Sequence, residues 1–320
     1  MNRHLITGAT TPLGRALIAE LLAAPDTEAI LAVGIEPPSR VDLPDDPRLT
    51  YTRANLARSR SIRKLLFGPA KDLKLTTIAH LAQHRSAAAQ GREAYALNVE
   101  SIRDLMPMAE RHPTLRRFVY RSYAEVYAVR ADKPQILAED HPLNLAPRTP
   151  QWIRDRVEAD LTVCTRMGMS PLSISVLRFA ECLAPDMGSQ LHDYLQSRVC
   201  FRPLGFDPML NLTTVADMAR ALALALRSEA QGVFNIPAWD TLPLSRVIQL
   251  AGRRAVPVPG PLMTPLYAMR SRTLGTDFRY DLNAWRFHFS GVLDGSRARH
   301  VLGFDPTHPI DWATLAALLP

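Results

Sequence analysis

Apolar and polar positions alternate along this chain in two rhythms. Short apolar runs predict buried strands at His4–Thr7, Ala29–Ile35, Leu49–Thr52, Leu75–Ala79, Arg117–Tyr120, Ser173–Phe179 and Gly232–Ile236. Between them, Arg15–Leu22, Ser59–Phe67, Arg92–Arg111 and Pro150–Met167 read as helices. The helix 92–111 carries Pro107, where a kink is expected because proline has no N–H for the bond one turn back. Gln83–Gln90 reads as a loop. Strands alternating with helices predict an α/β fold with a parallel sheet.

The first 36 residues organise the rest. A strand (His4–Thr7) enters a tight turn, Gly8-Ala9-Thr10-Thr11-Pro12-Leu13-Gly14, then a helix, a second strand, and Glu36 at its carboxyl end. This order is that of a dinucleotide-binding βαβ unit in a Rossmann-type, doubly wound sheet. Gly8 stands where the chain turns sharply, and Gly14 where the helix packs on the sheet. Glu36 follows Gly14 by twenty-two residues, placed to accept from an adenosine ribose hydroxyl. The middle glycine is replaced by Thr11, whose side chain crowds the approach to a pyrophosphate. Pro12 removes a backbone donor, and is also a good first helical residue. The expectation is a site for NAD or NADP that is built but weakened.

Composition narrows the class. The chain has 320 residues, 47% hydrophobic and 22% charged, as in globular proteins with a large core. Its net charge of +7 permits an anionic partner without naming one. Lysine occurs only at 64, 71, 74 and 133. Cys164, Cys182 and Cys200 form neither a disulfide framework nor a zinc pattern. No run is long enough to span a membrane, and no signal peptide opens the chain, so a cytoplasmic location is expected. The arginine-dense stretches 58–64 and 111–117 lack interleaved aromatics, so solvated faces are preferred to nucleic-acid contacts. Residues 257–268, rich in proline and apolar side chains and followed by Arg270 and Arg272, read as a capping loop of the second domain, or as a membrane-surface or partner-docking segment.

The glycine turn resembles the TGAxGxxG fingerprint of extended short-chain dehydrogenase/reductases, the NAD-dependent epimerase/dehydratase family. Further resemblances run through the chain. Asn55 takes the place of an Asp that contacts the adenine edge in the family, and can still make a hydrogen bond, and His80-Leu81-Ala82 is similar to an HxAA segment beside the nicotinamide ribose. Asn98-Val99 looks like the family's Asn-Val pair, and residues 121–127 look like SSxxVYG. Leu177-Arg178 matches an LR pair, 211–219 a return strand with its following helix, and 302–306 an LGxxP motif. The resemblance implies a Rossmann domain over 1–180 plus about 205–240. A smaller, discontinuous α/β substrate domain would hold about 181–204 plus 241–320. It also implies a homodimer paired through the 150–167 helix.

The family's chemistry uses a serine or threonine, and a tyrosine followed four residues later by a lysine. The lysine charge favours the phenolate and holds the nicotinamide ribose. Here the matching positions are Tyr123, Trp152 and Arg156. Indole does not exchange a proton usefully, while Arg156 keeps a permanent charge that can bind phosphate or ribose. Glu181 takes the place of an asparagine that holds a sugar-nucleotide diphosphate, and Ala184 that of a glycine. Otherwise Glu181 is an exposed loop acid. Three readings follow. The first is a pseudoenzyme acting as a nucleotide-binding, regulatory or scaffolding protein with a protein partner. The second is an active enzyme with a rearranged site using Tyr123 and Arg156. The third is a nucleic-acid-associated member.

Overall fold

The computed structural model describes residues 2–84, 90–274 and 278–319. Residues 85–89, most of the expected 83–90 loop, lie outside the described residues. Seven parallel strands form the central sheet: β1 (Asn2–Thr7), β2 (Thr27–Gly34), β3 (Leu49–Arg53), β4 (Thr77–His80), β5 (Arg117–Tyr123), β6 (Ser173–Phe179) and β7 (Gly232–Ile236). Their spatial order is β7-β6-β5-β4-β1-β2-β3. The order reverses between β1 and β4, which opens a crevice at the strands' carboxyl ends. The expected Rossmann-type sheet is present.

Helices cover both faces. On one side α1 (Pro12–Leu22) and Val215–Arg227 bury Leu17, Leu21, Leu222 and Leu226 against Ile6, Val119 and Phe234. On the other, α2 (Ser59–Leu65), α3 (Ser101–Glu110) and α4 (Gln151–Cys164) bury Ile62, Leu105 and Val163 against Leu5, Ile78 and Phe118. The long helix expected over 92–111 departs from α-geometry at Ala96–Glu100, a π-helical turn, while Ser101–Glu110 runs as one α-helix through Pro107, where the sequence predicts a kink. Such turns widen the helix locally and commonly lie beside sites.

The second half uses small sheets. Met209–Thr213 pairs with Glu181–Cys182 and Asp240–Pro243, and Val199–Pro203 pairs with Arg254–Val258. Tyr194, Tyr267, Phe278 and Phe287 form its core. Residues 257–268 are not a loop. Gly260–Leu274 is a helix whose Met263 and Tyr267 enter that core. Strand β5 runs three residues past the expected Tyr120. Arg121, Ser122 and Tyr123 stay paired with Leu177, Arg178 and Phe179, and the Ser122 hydroxyl is satisfied by Asp160 on a different element.

Candidate functional site

A cleft of about 790 Å³ opens at the switch between β1 and β4. Gly8, Thr11, Glu36, Asn55 and Ala82 line it, with Gly34, Arg58, Gln83 and Arg92. Gly8 has φ +69°, the left-handed region, and a Cβ there would lie 3.0 Å from the Ala82 nitrogen. Gly14 sits beneath the turn: a Cβ would come 2.3 Å from the Gly8 oxygen, so no other residue lets α1 start this close. Thr11 is the N-cap of α1. Its backbone is extended (φ −73°), its hydroxyl donates to the Gly8 carbonyl at 2.7 Å, and it accepts from the Gly14 N–H at 3.1 Å. The missing glycine is therefore no backbone strain. Pro12 is the first residue of the helix, where its missing N–H costs least.

Glu36 accepts from the Thr10 hydroxyl at 2.8 Å and from the Ile35 N–H at 3.1 Å, which fixes its carboxylate at the end of β2. Asn55 accepts from the Ala57 N–H at 3.0 Å and shapes the loop after β3. Two expected cofactor residues work from behind. His80 is buried in the sheet, stacked on Tyr120 and Phe118 and bonded through Nδ1 to the Thr7 hydroxyl at 3.0 Å. Burial pushes its imidazole down to about 3, so it is neutral at physiological pH. Its contribution reaches the cleft only through Thr7, whose hydroxyl also accepts from the Leu81 and Ala82 amides at 3.1 and 3.3 Å. Asn98, on the π-helical turn, accepts from the His84 N–H at 2.8 Å and holds the loop after β4.

The residues aligned with the catalytic positions come together, in a different arrangement. The Arg156 guanidinium lies 3.7 Å from the Tyr123 ring centroid and 3.8 Å from that of Trp152, stacked between them. It is paired with Glu125 at 2.9 Å and buried. Arg156 does not line the cleft at the β1–β4 switch. Its planar cation favours aromatic faces and a carboxylate, and here it has both. Arg121 covers Tyr123 at 4.7 Å. The Tyr123 hydroxyl makes no hydrogen bond among the described residues.

Glu125 also faces Arg286 at 3.5 Å, and Arg286 pairs with Glu181. Burial alone would raise the Glu125 carboxyl, but Arg156 and Arg286 outweigh it and hold it below the usual range. Glu181 is not an exposed loop acid: it is 9% exposed and accepts from the Ser189 hydroxyl at 2.7 Å and the Leu191 N–H at 2.9 Å. Asp160, fully buried, accepts from Ser122 at 2.5 Å and from the Nη2 and Nε of the Arg178 guanidinium at 2.7 and 3.0 Å. Arg178 donates onward to the Tyr127 hydroxyl at 3.0 Å. Only a small cavity of about 40 Å³ remains at this junction, bordered by Glu125, Glu181, Asn211, Trp285 and Arg286. The sequence reading missed Glu125 and Arg286 as site residues. Arg286 lies 161 positions from Glu125, and no local motif marks it.

Residues 4–156 match the NAD dependent epimerase/dehydratase family. The chain is 29% identical over 316 residues to the uncharacterized protein Rv0501 of Mycobacterium tuberculosis, covering 98% of this chain and 81% of that one. It is 28% identical over 208 residues to a 3-diazoavenalumate denitrifying reductase of a Streptomyces species, covering 63% and 64% of the two chains. The structure of the Bordetella bronchiseptica enzyme WbmH in complex with NAD+ shares the fold, with a TM-score of 0.73 at 18% identity over 100% of this chain and 97% of that one.

Proposed function

We propose, from the match of residues 4–156 to the NAD dependent epimerase/dehydratase family, that the chain is a member that binds NAD but lacks the family's tyrosine–lysine proton relay, acting as a pseudoenzyme with a nucleotide-binding or regulatory role. One observation carries the reading: Arg156 is committed to Tyr123, Trp152 and Glu125. A cation held this way has no position from which to serve a ribose, and Trp152 has no proton to exchange at neutral pH.

The cleft fits a dinucleotide. The left-handed Gly8, the Gly14 packing and the amino end of α1 form a cradle for phosphates. Glu36 would hold the adenosine ribose, and its charge disfavours the extra phosphate of NADP. NAD, when bound, would supply hydride-accepting chemistry. On the substrate side, Glu181 replaces a diphosphate-binding asparagine and is occupied by Arg286 and Ser189, which argues against sugar nucleotides. A second copy packing on the outer face of α4, where Leu145, Pro147 and Leu161 border a cleft of about 540 Å³, is the assembly this reading favours.

The test is a turnover assay with NAD and a panel of nucleotide sugars. No loss of any nucleotide sugar and no new product is expected by chromatography, and steady turnover of any of them overturns the reading. A second reading has one observation behind it: the Tyr123 hydroxyl has no partner among the described residues, and the guanidinium groups of Arg121 and Arg156 lie over its ring. Under it, Tyr123→Phe abolishes an activity that the wild-type chain shows on a different substrate.

A further inference from the structure

The helix Gly260–Leu274 is apolar on both sides. Its inner face gives Met263 and Tyr267 to the core of the second half. Its outer face presents Leu262, 52% exposed, and Met269, 59% exposed, seven residues apart and so on one stripe, with Pro265 between them. A surface helix normally turns polar residues outward, so this face departs from the rule. The stripe is extended by the neighbouring loop. Leu204, 59% exposed, donates its N–H to the Val258 carbonyl at 2.8 Å, two residues before the helix begins. Phe206, 39% exposed, packs its ring 4.4 Å from that of His288, which also borders Gly260.

The charge around this patch is mainly positive. Segments 198–206 and 253–274 are joined by the pairing of Val199–Pro203 with Arg254–Val258. Together they carry six arginines (198, 202, 253, 254, 270 and 272) and no aspartate or glutamate. Arg270 is tied to the Val199 carbonyl at 2.6 Å, while Arg254 and Arg272 are exposed at the rim. The one carboxylate that adjoins the ridge, exposed Asp207 beside Phe206, is engaged by the Ser245 N–H at 2.8 Å and hydroxyl at 2.6 Å. An apolar ridge set among more arginines than carboxylates matches the boundary between acyl chains and anionic headgroups. Among the described residues no helix is long and apolar enough to cross a bilayer, so the contact would be peripheral.

We infer that this face, Leu204, Phe206, Leu262 and Met269 ringed by Arg202, Arg254 and Arg272, docks the protein on an anionic membrane surface. The inference does not depend on the dinucleotide reading, because the patch lies outside the cleft. Its test is sedimentation of the full chain with vesicles of phosphatidylcholine alone and of phosphatidylcholine mixed with phosphatidylglycerol. The chain should follow only the anionic vesicles. Leu262→Asp should weaken that binding by about tenfold or more, from the loss of one buried leucine. Arg272→Ala, an exposed change that leaves the core intact, should weaken it about fivefold. Failure to sediment with anionic vesicles, or equal sedimentation with both, overturns the inference. So does a concentration-dependent dimer in solution that Leu262→Asp abolishes, which would assign the face to a second copy.

Discussion

The cleft and the junction beside it differ in how they treat the family's pattern. In the cleft, substitutions are absorbed: Thr11 replaces a glycine yet becomes a helix cap, and Pro12 occupies the one helical position that wants it. At the junction they are compounded. Tyr123, Trp152 and Arg156 form a stack, and Glu125, Arg286 and Glu181 carry its charge into the second half. A turn made of backbone tolerates a new side chain if the dihedral angles stay allowed. A proton relay made of side chains does not survive loss of the group that ionises.

The largest expected effect is at the junction. Asp160→Ala leaves the Arg178 guanidinium buried without its carboxylate. It should cost about 3–5 kcal/mol of stability in denaturant titration. Arg156→Ala should cost about 2–3 kcal/mol, less because Glu125 keeps Arg286. In the folded fraction of both variants, NAD affinity should stay close to that of the wild type. A large loss of affinity would join the two regions that are separated here. Gly14→Ala tests the other side: with its Cβ 2.3 Å from the Gly8 oxygen, it should cost about 1–3 kcal/mol and remove NAD binding together.

Acidity gives a finer test. Burial pushes His80 down to about 3 and His4 to about 4, against 6.5 for the ordinary side chain. Between those values the unfolded chain binds more protons, so stability rises with pH. It is complete above about pH 6.5 and is lost as pH falls toward 4 and then 3. The lowered Glu125 carboxyl acts in the same direction below about pH 4.5. His80→Phe keeps the stack on Tyr120 and should flatten the slope between pH 6.5 and 4 by about 1.4 kcal/mol per pH unit. The smallest effect is expected at Thr11→Gly, a few tenths of a kcal/mol, with NAD affinity unchanged or raised.

Most of the sheet was legible because its signals are local. Seven apolar runs, and a glycine turn with an acid at the next strand's end, determine β1 to β7 and the cleft. The polar end of β5 was not legible, since Ser122 and Arg178 are satisfied by Asp160 on a different element. His80 was expected near the cofactor from its place at a strand end, but its ring turns inward between β1 and β5. Glu181 reads as an acid in the place of a diphosphate-binding asparagine or, otherwise, as an exposed loop acid, and its burial is not legible because its partner, Arg286, stands over a hundred residues away. The helix at 260–274 was read as a loop because its prolines suggest breaks, whereas Met263 and Tyr267 anchor it.

The central claim is that the cleft binds a dinucleotide while the junction no longer transfers its protons. Isothermal titration of NAD into the purified chain tests it most directly, with Gly14→Ala as the reference. The account predicts saturable one-site binding that the variant loses and no conversion of a nucleotide sugar added afterwards. Absence of any heat of binding, or binding followed by turnover, would contradict it.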